Sequence, residues 1–174
     1  MPSDIPEQLL RPHAPRVSTT TPPVQIIVDD LSAPRIATLL GEHLAEMQAN
    51  SPACSMHALD LEALRAPGIT FWSVSDATDL LGCGALRQLD PTHGEIKSMR
   101  TAAAHTGRGV AAHLLDHIIT TARARGYRRL SLETGASDFY GPAQRLYARN
   151  GFERCAPFAD YTDDPHSVYM TRTL

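Results

Sequence analysis

The stretch from Gly94 to Ala112, G-E-I-K-S-M-R-T-A-A-A-H-T-G-R-G-V-A-A, constrains this chain more than any other. It reads as a strand over Glu95 to Thr101, a short turn, and a glycine-opened helix running to about Arg125. The amides of Gly107, Arg108 and Gly109 then lie at a helix N-terminus without intrahelical partners. Lacking a Cβ, Gly107 and Gly109 permit a tight turn and the close approach of a ligand. Free N–H groups at the positive end of a helix dipole suit a phosphate, and Arg108 adds a cationic side chain. The first inference is chemical: this turn grips a phosphorylated cofactor.

Length and charge narrow the class. With 174 residues the chain is one domain by length and buries a sizeable core. A net charge of −3 and a pI near 6.2 argue against a dedicated nucleic-acid binder. No apolar run approaches the roughly 18 residues of a membrane span. The first residues also lack the apolar stretch of a signal peptide, so the expected location is cytoplasmic. Cys54, Cys83 and Cys155 are far apart and form no C-x-x-C, which leaves free thiols as the expectation. His113 and His117 lie four apart on the helix, but no third ligand follows from spacing, and no metal is expected.

Taken in order, residues 1–23 hold six of the thirteen prolines and read as a flexible arm. Val24 to Asp30 reads as a strand. Ser32 is the expected N-cap of a helix with Pro34 early in its first turn, running to Asn50. Ile36, Leu39, Leu40, Leu44 and Met47 recur on that helix at core spacing. A short helix is expected around Asp60 to Arg65. Strands Ile69 to Ser75 and Leu80 to Leu89 form a hairpin before the glycine-rich stretch. Arg128 to Thr134 is the next strand, and a helix from about Pro142 to Asn150 stops at Gly151. Phe152 to Ala156 and Val168 to Thr173 close the chain. The order β-α-α-β-β-β-α-β-α-β-β defines a mixed α/β fold over residues 24–174.

Two segments carry a family resemblance. T-G-R-G-V-A at Thr106 to Ala111 resembles the R/Q-x-x-G-x-G/A signature of the GNAT superfamily of acetyl-CoA-dependent N-acetyltransferases. Thr106 stands where that signature has Arg or Gln. A-Q-R-L-Y-A-R-N-G-F at Ala143 to Phe152 resembles the family's A-x-x-L-Y-x-x-x-G-F helix. The resemblance implies a central, mostly antiparallel sheet flanked by helices. It further implies acetyl transfer from acetyl-CoA to a primary amine by direct attack in a ternary complex.

By resemblance, Thr106, Gly107, Arg108, Gly109, Val110, Ala111 and Ala112 hold the pyrophosphate. Met99, Arg100 and Thr101 line the pantetheine, with a backbone amide near Met99 facing the thioester oxygen. Tyr147 matches the tyrosine near the cofactor sulfur and is expected to protonate the departing thiolate, with a rate decline at high pH as the phenol ionises. Tyr140 stands where many relatives have Asn. Glu95 matches a strand glutamate that some members use as base; a solvated strand-end charge is the alternative, and Glu133 is the second candidate. Phe71, Trp72, His57, Asp60, Asp160 and Tyr161 are candidates for the acceptor pocket.

Other readings stay in view. Gly107-x-Gly109-x-x-Ala112 with Glu133 beyond mimics a dinucleotide fingerprint, yet no apolar strand directly precedes it, which argues against NAD. A non-catalytic acyl-CoA-binding module and a protein N-terminal acetyltransferase remain alternatives. The expected partner is a small-molecule amine, with no nucleic acid and no membrane; a homodimer is left open.

Overall fold

The computed structural model describes residues 23–55 and 57–174. All of the expected arm but Pro23, and the Cys54 side chain, lie outside the described residues. Strands rich in alternating apolar side chains form one seven-stranded sheet of order β1-β2-β3-β4-β5-β7-β6. They are β1 (Gln25–Val28), β2 (Ile69–Ser75), β3 (Leu80–Asp90), β4 (His93–Thr101), β5 (Arg129–Gly135), β6 (Glu153–Arg154) and β7 (Ser167–Thr173). The helices are α1 (Pro34–Asn50), α2 (Leu61–Leu64), α3 (Val110–Ala124) and α4 (Gly141–Arg149). The expected element order is observed. Among the described residues only β4 and β5 pair in parallel, because α3 crosses over between them; the other pairings are antiparallel.

The parallel pair creates the opening that matters. Its register runs from His93↔Arg129 to Ile96↔Leu132 and then stops. Beyond it β4 continues to Thr101 and β5 to Gly135, so the two strands diverge at their carboxyl ends. A bulge accompanies the divergence: Ser98 and Met99 together oppose Gly84, between the pairs Ala85↔Lys97 and Cys83↔Arg100. Ser98 has φ +53, a left-handed conformation that is costly for a residue with a Cβ. Gly84 makes room for the bulge, since a Cβ there would lie 2.8 Å from Met99 Sδ.

Each face of the sheet buries its own cluster. Leu114, Leu115, Ile118, Ile119 and Ala122 of α3 pack with Ile96, Leu130, Leu132 and Met170 on one face. Ile36 and Leu39 of α1 pack with Leu64, Phe71, Cys83 and Ala85 on the other. Burying one such Leu or Ile contributes about 1.5–3 kcal/mol.

Several local expectations change. Ser32 is not a cap: its amide bonds Asp30 Oδ1, and Ala33 takes the N-cap position without a side-chain bond, leaving Pro34 in the first turn. The apolar stripe of α1 is not all core. Leu44 is exposed, and Met47 faces an open cleft because the last turns of α1 run past the diverging strands. β6 is shorter than expected, reduced to Glu153–Arg154. Cys83 is buried and Cys155 half-buried, both as free thiols.

Candidate active site

A cavity of about 680 Å³ runs along the carboxyl end of β4, beside a smaller one where β4 and β5 diverge. Met99, Arg100 and Thr101 of β4 form one wall, and Ala143, Leu146 and Tyr147 of α4 form another. Thr106, Gly107, Gly109, Val110, Ala111 and Ala112 line its far end. Nine of the ten residues expected around the cofactor therefore share one cavity. Arg108 does not join them; its exposed guanidinium donates to His105 Nδ1 at 2.8 Å. The Arg100 side chain is tied to Glu46 of α1, so its charge is already matched.

The turn is built for an anion. Gly107 has φ +72 and Gly109 φ +81, and no neighbour lies within 4 Å of a Cβ added at either position. Backbone conformation and open space, not packing, are what require glycine here. The first amide of this region to bond within the helix is that of His113, to Gly109 O. The amides from Gly107 to Ala112 donate to no described residue. A row of free donors at the N-terminus of a fifteen-residue helix fits a pyrophosphate.

Tyr147 is fixed by the end of its own helix. Gly151 adopts φ +77, Phe152 N–H bonds Tyr147 O at 3.1 Å and Gly151 N–H bonds Ala148 O at 3.0 Å. These are the two bonds of a Schellman cap, and the Phe152 ring packs on Tyr147 with centroids 5.8 Å apart. The motif G-F after the helix thus sets the tyrosine. Its hydroxyl bonds no described side chain, and burial, then the nearby Glu133 carboxylate, raises the phenol well above its ordinary range.

A second cavity of about 110 Å³ adjoins the first, and His43, Met47, Met99, Tyr140, Ala143 and Tyr147 line both. Lys97, His57 and Glu133 line only the smaller one. Burial raises the Glu133 carboxyl, against a bond from Ser167 Oγ at 2.7 Å and the field of Lys97 that lower it. His43 is held neutral: burial first, then Arg100, lowers it to about 4.

Glu95 is corrected. It is neither a solvated strand end nor a lining residue of either cavity, but a fully buried carboxylate. Tyr161 donates to its Oε1 at 2.6 Å, with Lys97 Nζ at 3.4 Å and Arg87 Nη1 at 3.6 Å from its two oxygens. Strand alternation turns residues 93, 95 and 97 to the α1 face, where the loop carrying Tyr161 covers them. Among the acceptor candidates, Phe71 and Trp72 are buried in the two cores, Asp60 caps α2 and Asp160 is exposed. His57 lines the smaller cavity, and Tyr161 backs Lys97. Sequence reasoning missed Lys97 and His43, and the period-2 pattern of β4 was the available signal for Lys97; Tyr140, noted there for replacing Asn, lines both cavities.

This architecture, a sheet split at its parallel pair above a glycine turn, defines an acyl-CoA-dependent transferase. A family model described as "Acetyltransferase (GNAT) family" matches residues 36–152. An uncharacterized N-acetyltransferase of Bacillus subtilis, YsnE, is 54% identical over 151 residues, covering 87% of this chain and all of the relative. A structure from Klebsiella pneumoniae described as an acyl-CoA N-acyltransferase aligns with TM-score 0.72 and 25% identity, over 87% of this chain and 97% of that one. A GNAT family acetyltransferase of Elizabethkingia anophelis with acetyl-CoA bound aligns with TM-score 0.60 and 17% identity, over 87% and 98% of the two chains. The chain belongs to the GNAT family and is an acetyltransferase. Among the described residues, no helix is long and apolar enough to cross a membrane.

Proposed function

We propose that this enzyme moves an acetyl group from acetyl-CoA to a primary amine of a small molecule, by direct attack while both substrates are bound. One observation carries the reading: the large cavity with its amide cradle and the small cavity with Glu133 meet at Tyr147. The second cavity, of about 110 Å³, suits a small amine.

The residues divide the chemistry. The amides of Gly107 to Ala112 would hold the pyrophosphate. Glu133 takes a proton from the incoming ammonium, directly or through water; its raised pKa brings it nearer the working pH of a general base. The new N–C bond forms as the C–S bond breaks, the nitrogen's surplus proton passes through solvent to the departing thiolate, and backbone N–H groups at the Ser98–Met99 bulge would stabilise the charge growing on the carbonyl oxygen. Tyr147 donates a hydrogen bond to the departing sulfur. Its raised pKa makes full proton transfer to a thiolate uphill, so it stabilises charge rather than giving up the proton early. Glu95 is replaced by Glu133 as the base.

Thiol release from acetyl-CoA across a panel of primary amines, with mass detection of the acetylated product, tests this. Amine-dependent release with an N-acetyl product is expected. Release that no amine accelerates would mean hydrolysis and would defeat the reading.

A further inference from the structure

The smaller cavity holds a cation that acetyl transfer to an amine does not require. Lys97 lines it with a side chain only 7% exposed. An ammonium has three protons to donate. Two are used, on His57 O at 2.9 Å and on Tyr161 Oη at 2.7 Å. The third has no hydrogen-bond acceptor among the described residues, since Glu95 Oε1 stands off at 3.4 Å as a charge partner and itself accepts from Tyr161.

Charge balance points the same way. Glu95 is flanked by two cations, Lys97 and Arg87, and with Glu133 beside Lys97 the four groups balance, so an entering ligand keeps that balance when it carries both signs of charge. Among the residues lining the smaller cavity, Glu133 is the one carboxylate and Lys97 the one lysine. They project from neighbouring strands on the same sheet face, and the charge of Lys97 reaches Glu133. A ligand that satisfies both carries an ammonium and an anionic group a few bonds apart.

We propose that the acceptor is a small amino acid, its carboxylate bound by the spare N–H of Lys97 and its amine directed to Glu133 and Tyr147. This rests on the N-acetyltransferase reading above and names its substrate class. A cavity of about 110 Å³ suits a small acceptor. An ammonium N–H without an acceptor favours a carboxylate over a neutral amide carbonyl, because a hydrogen bond between two charged groups is the stronger one.

The test is thiol release with wild-type enzyme on a panel of small amino acids, each paired with its own amide. The acid is expected to exceed its amide in kcat/KM by about tenfold or more. In Lys97→Met that ratio falls to near one through a raised KM for the acid, whereas Lys97→Arg retains a preference for the acid. Amides or simple alkylamines equal to or better than the acids in the wild type would overturn the proposal and leave amine acetylation standing; this comparison needs no variant. An unchanged acid-to-amide ratio in a folded Lys97→Met would also overturn it. No amine-dependent release at all would overturn the N-acetyltransferase reading itself, and this proposal with it.

Discussion

Arg100 on β4 and Glu46 on α1 meet across the mouth of the larger cavity, guanidinium to carboxylate through two hydrogen bonds, one of 2.7 Å. Planar fork geometry makes this the strongest arrangement for such a pair. It holds the Glu46 carboxyl below its ordinary range, chiefly through the hydrogen bonds from Arg100. A depressed carboxylate stabilises the fold above its unfolded pKa, and that contribution is lost as pH falls through the folded value. The Glu46 side chain is 39% exposed, so solvent screening limits the pair. A coupling of about 1 kcal/mol is expected from a double-mutant cycle of Glu46→Gln and Arg100→Gln. Glu46→Gln should lower Tm by about 2–4 °C at neutral pH, with the gap closing in acid. Were Arg100 instead a cofactor contact, Arg100→Gln would raise the KM for acetyl-CoA and leave Tm unchanged.

The glycine turn allows a controlled test of the cradle. Gly109 and Gly126 lie at opposite ends of α3 with φ +81 and +82, and neither has a neighbour within 4 Å of an added Cβ. Valine at either position therefore meets the same backbone strain, about 1–2 kcal/mol. Gly109→Val and Gly126→Val should lose similar Tm. Only Gly109→Val should raise the KM for acetyl-CoA, by about tenfold, equal to about 1.4 kcal/mol. Equal KM in the two variants would move the phosphates away from this turn.

The element order was legible because strand alternation, helical spacing and glycine stops are local signals. The cradle was legible because Gly107 and Gly109 announce their conformation. What the chain hides is long-range. Nothing in S-M at 98–99 marks a bulge with φ +53; that follows from pairing against Gly84 of β3. Strand alternation groups 95 with 97, yet their burial depends on Tyr161, a partner 64 residues from Lys97. Glu95 therefore looked like a strand-end base and is a buried counter-ion. The stripe on α1 misled for a similar reason: Met47 has core spacing, but the sheet beneath it has opened.

Glu133 binds rate and stability together. Its raised pKa means the basic form is lost as pH falls through a value above the ordinary carboxylate range, so kcat should show an acid limb there. Glu133→Gln should reduce turnover on the order of 10²-fold and abolish that limb. The folded-state pKa is raised, so ionised Glu133 costs the folded state stability at neutral pH, and the cost vanishes below the unfolded pKa. The variant should thus melt slightly higher than wild type near neutrality and converge with it in acid. A variant that keeps its rate would return the base role to solvent.

Tyr147→Phe separates a hydrogen-bond donor from a wall. The substitution keeps the ring against Phe152 and the Schellman cap, and removes a hydroxyl that bonds no described side chain. Stability should therefore hardly change, and acetyl-CoA should bind as before. Turnover should fall about 10²-fold, the low end for a positioned acid or base. The pH profile carries the finer distinction. An ordinary phenol would bring a decline near pH 10. Burial and Glu133 raise this phenol well beyond that, so the alkaline limb expected from sequence should be missing from the wild type. Loss of the donor without any alkaline limb in the parent identifies a buried hydroxyl stabilising the sulfur. A limb near pH 10 that disappears in Tyr147→Phe would instead mean a solvated phenol acting as a full acid. Near-complete activity in a stable Tyr147→Phe would leave the thiolate to take its proton from water.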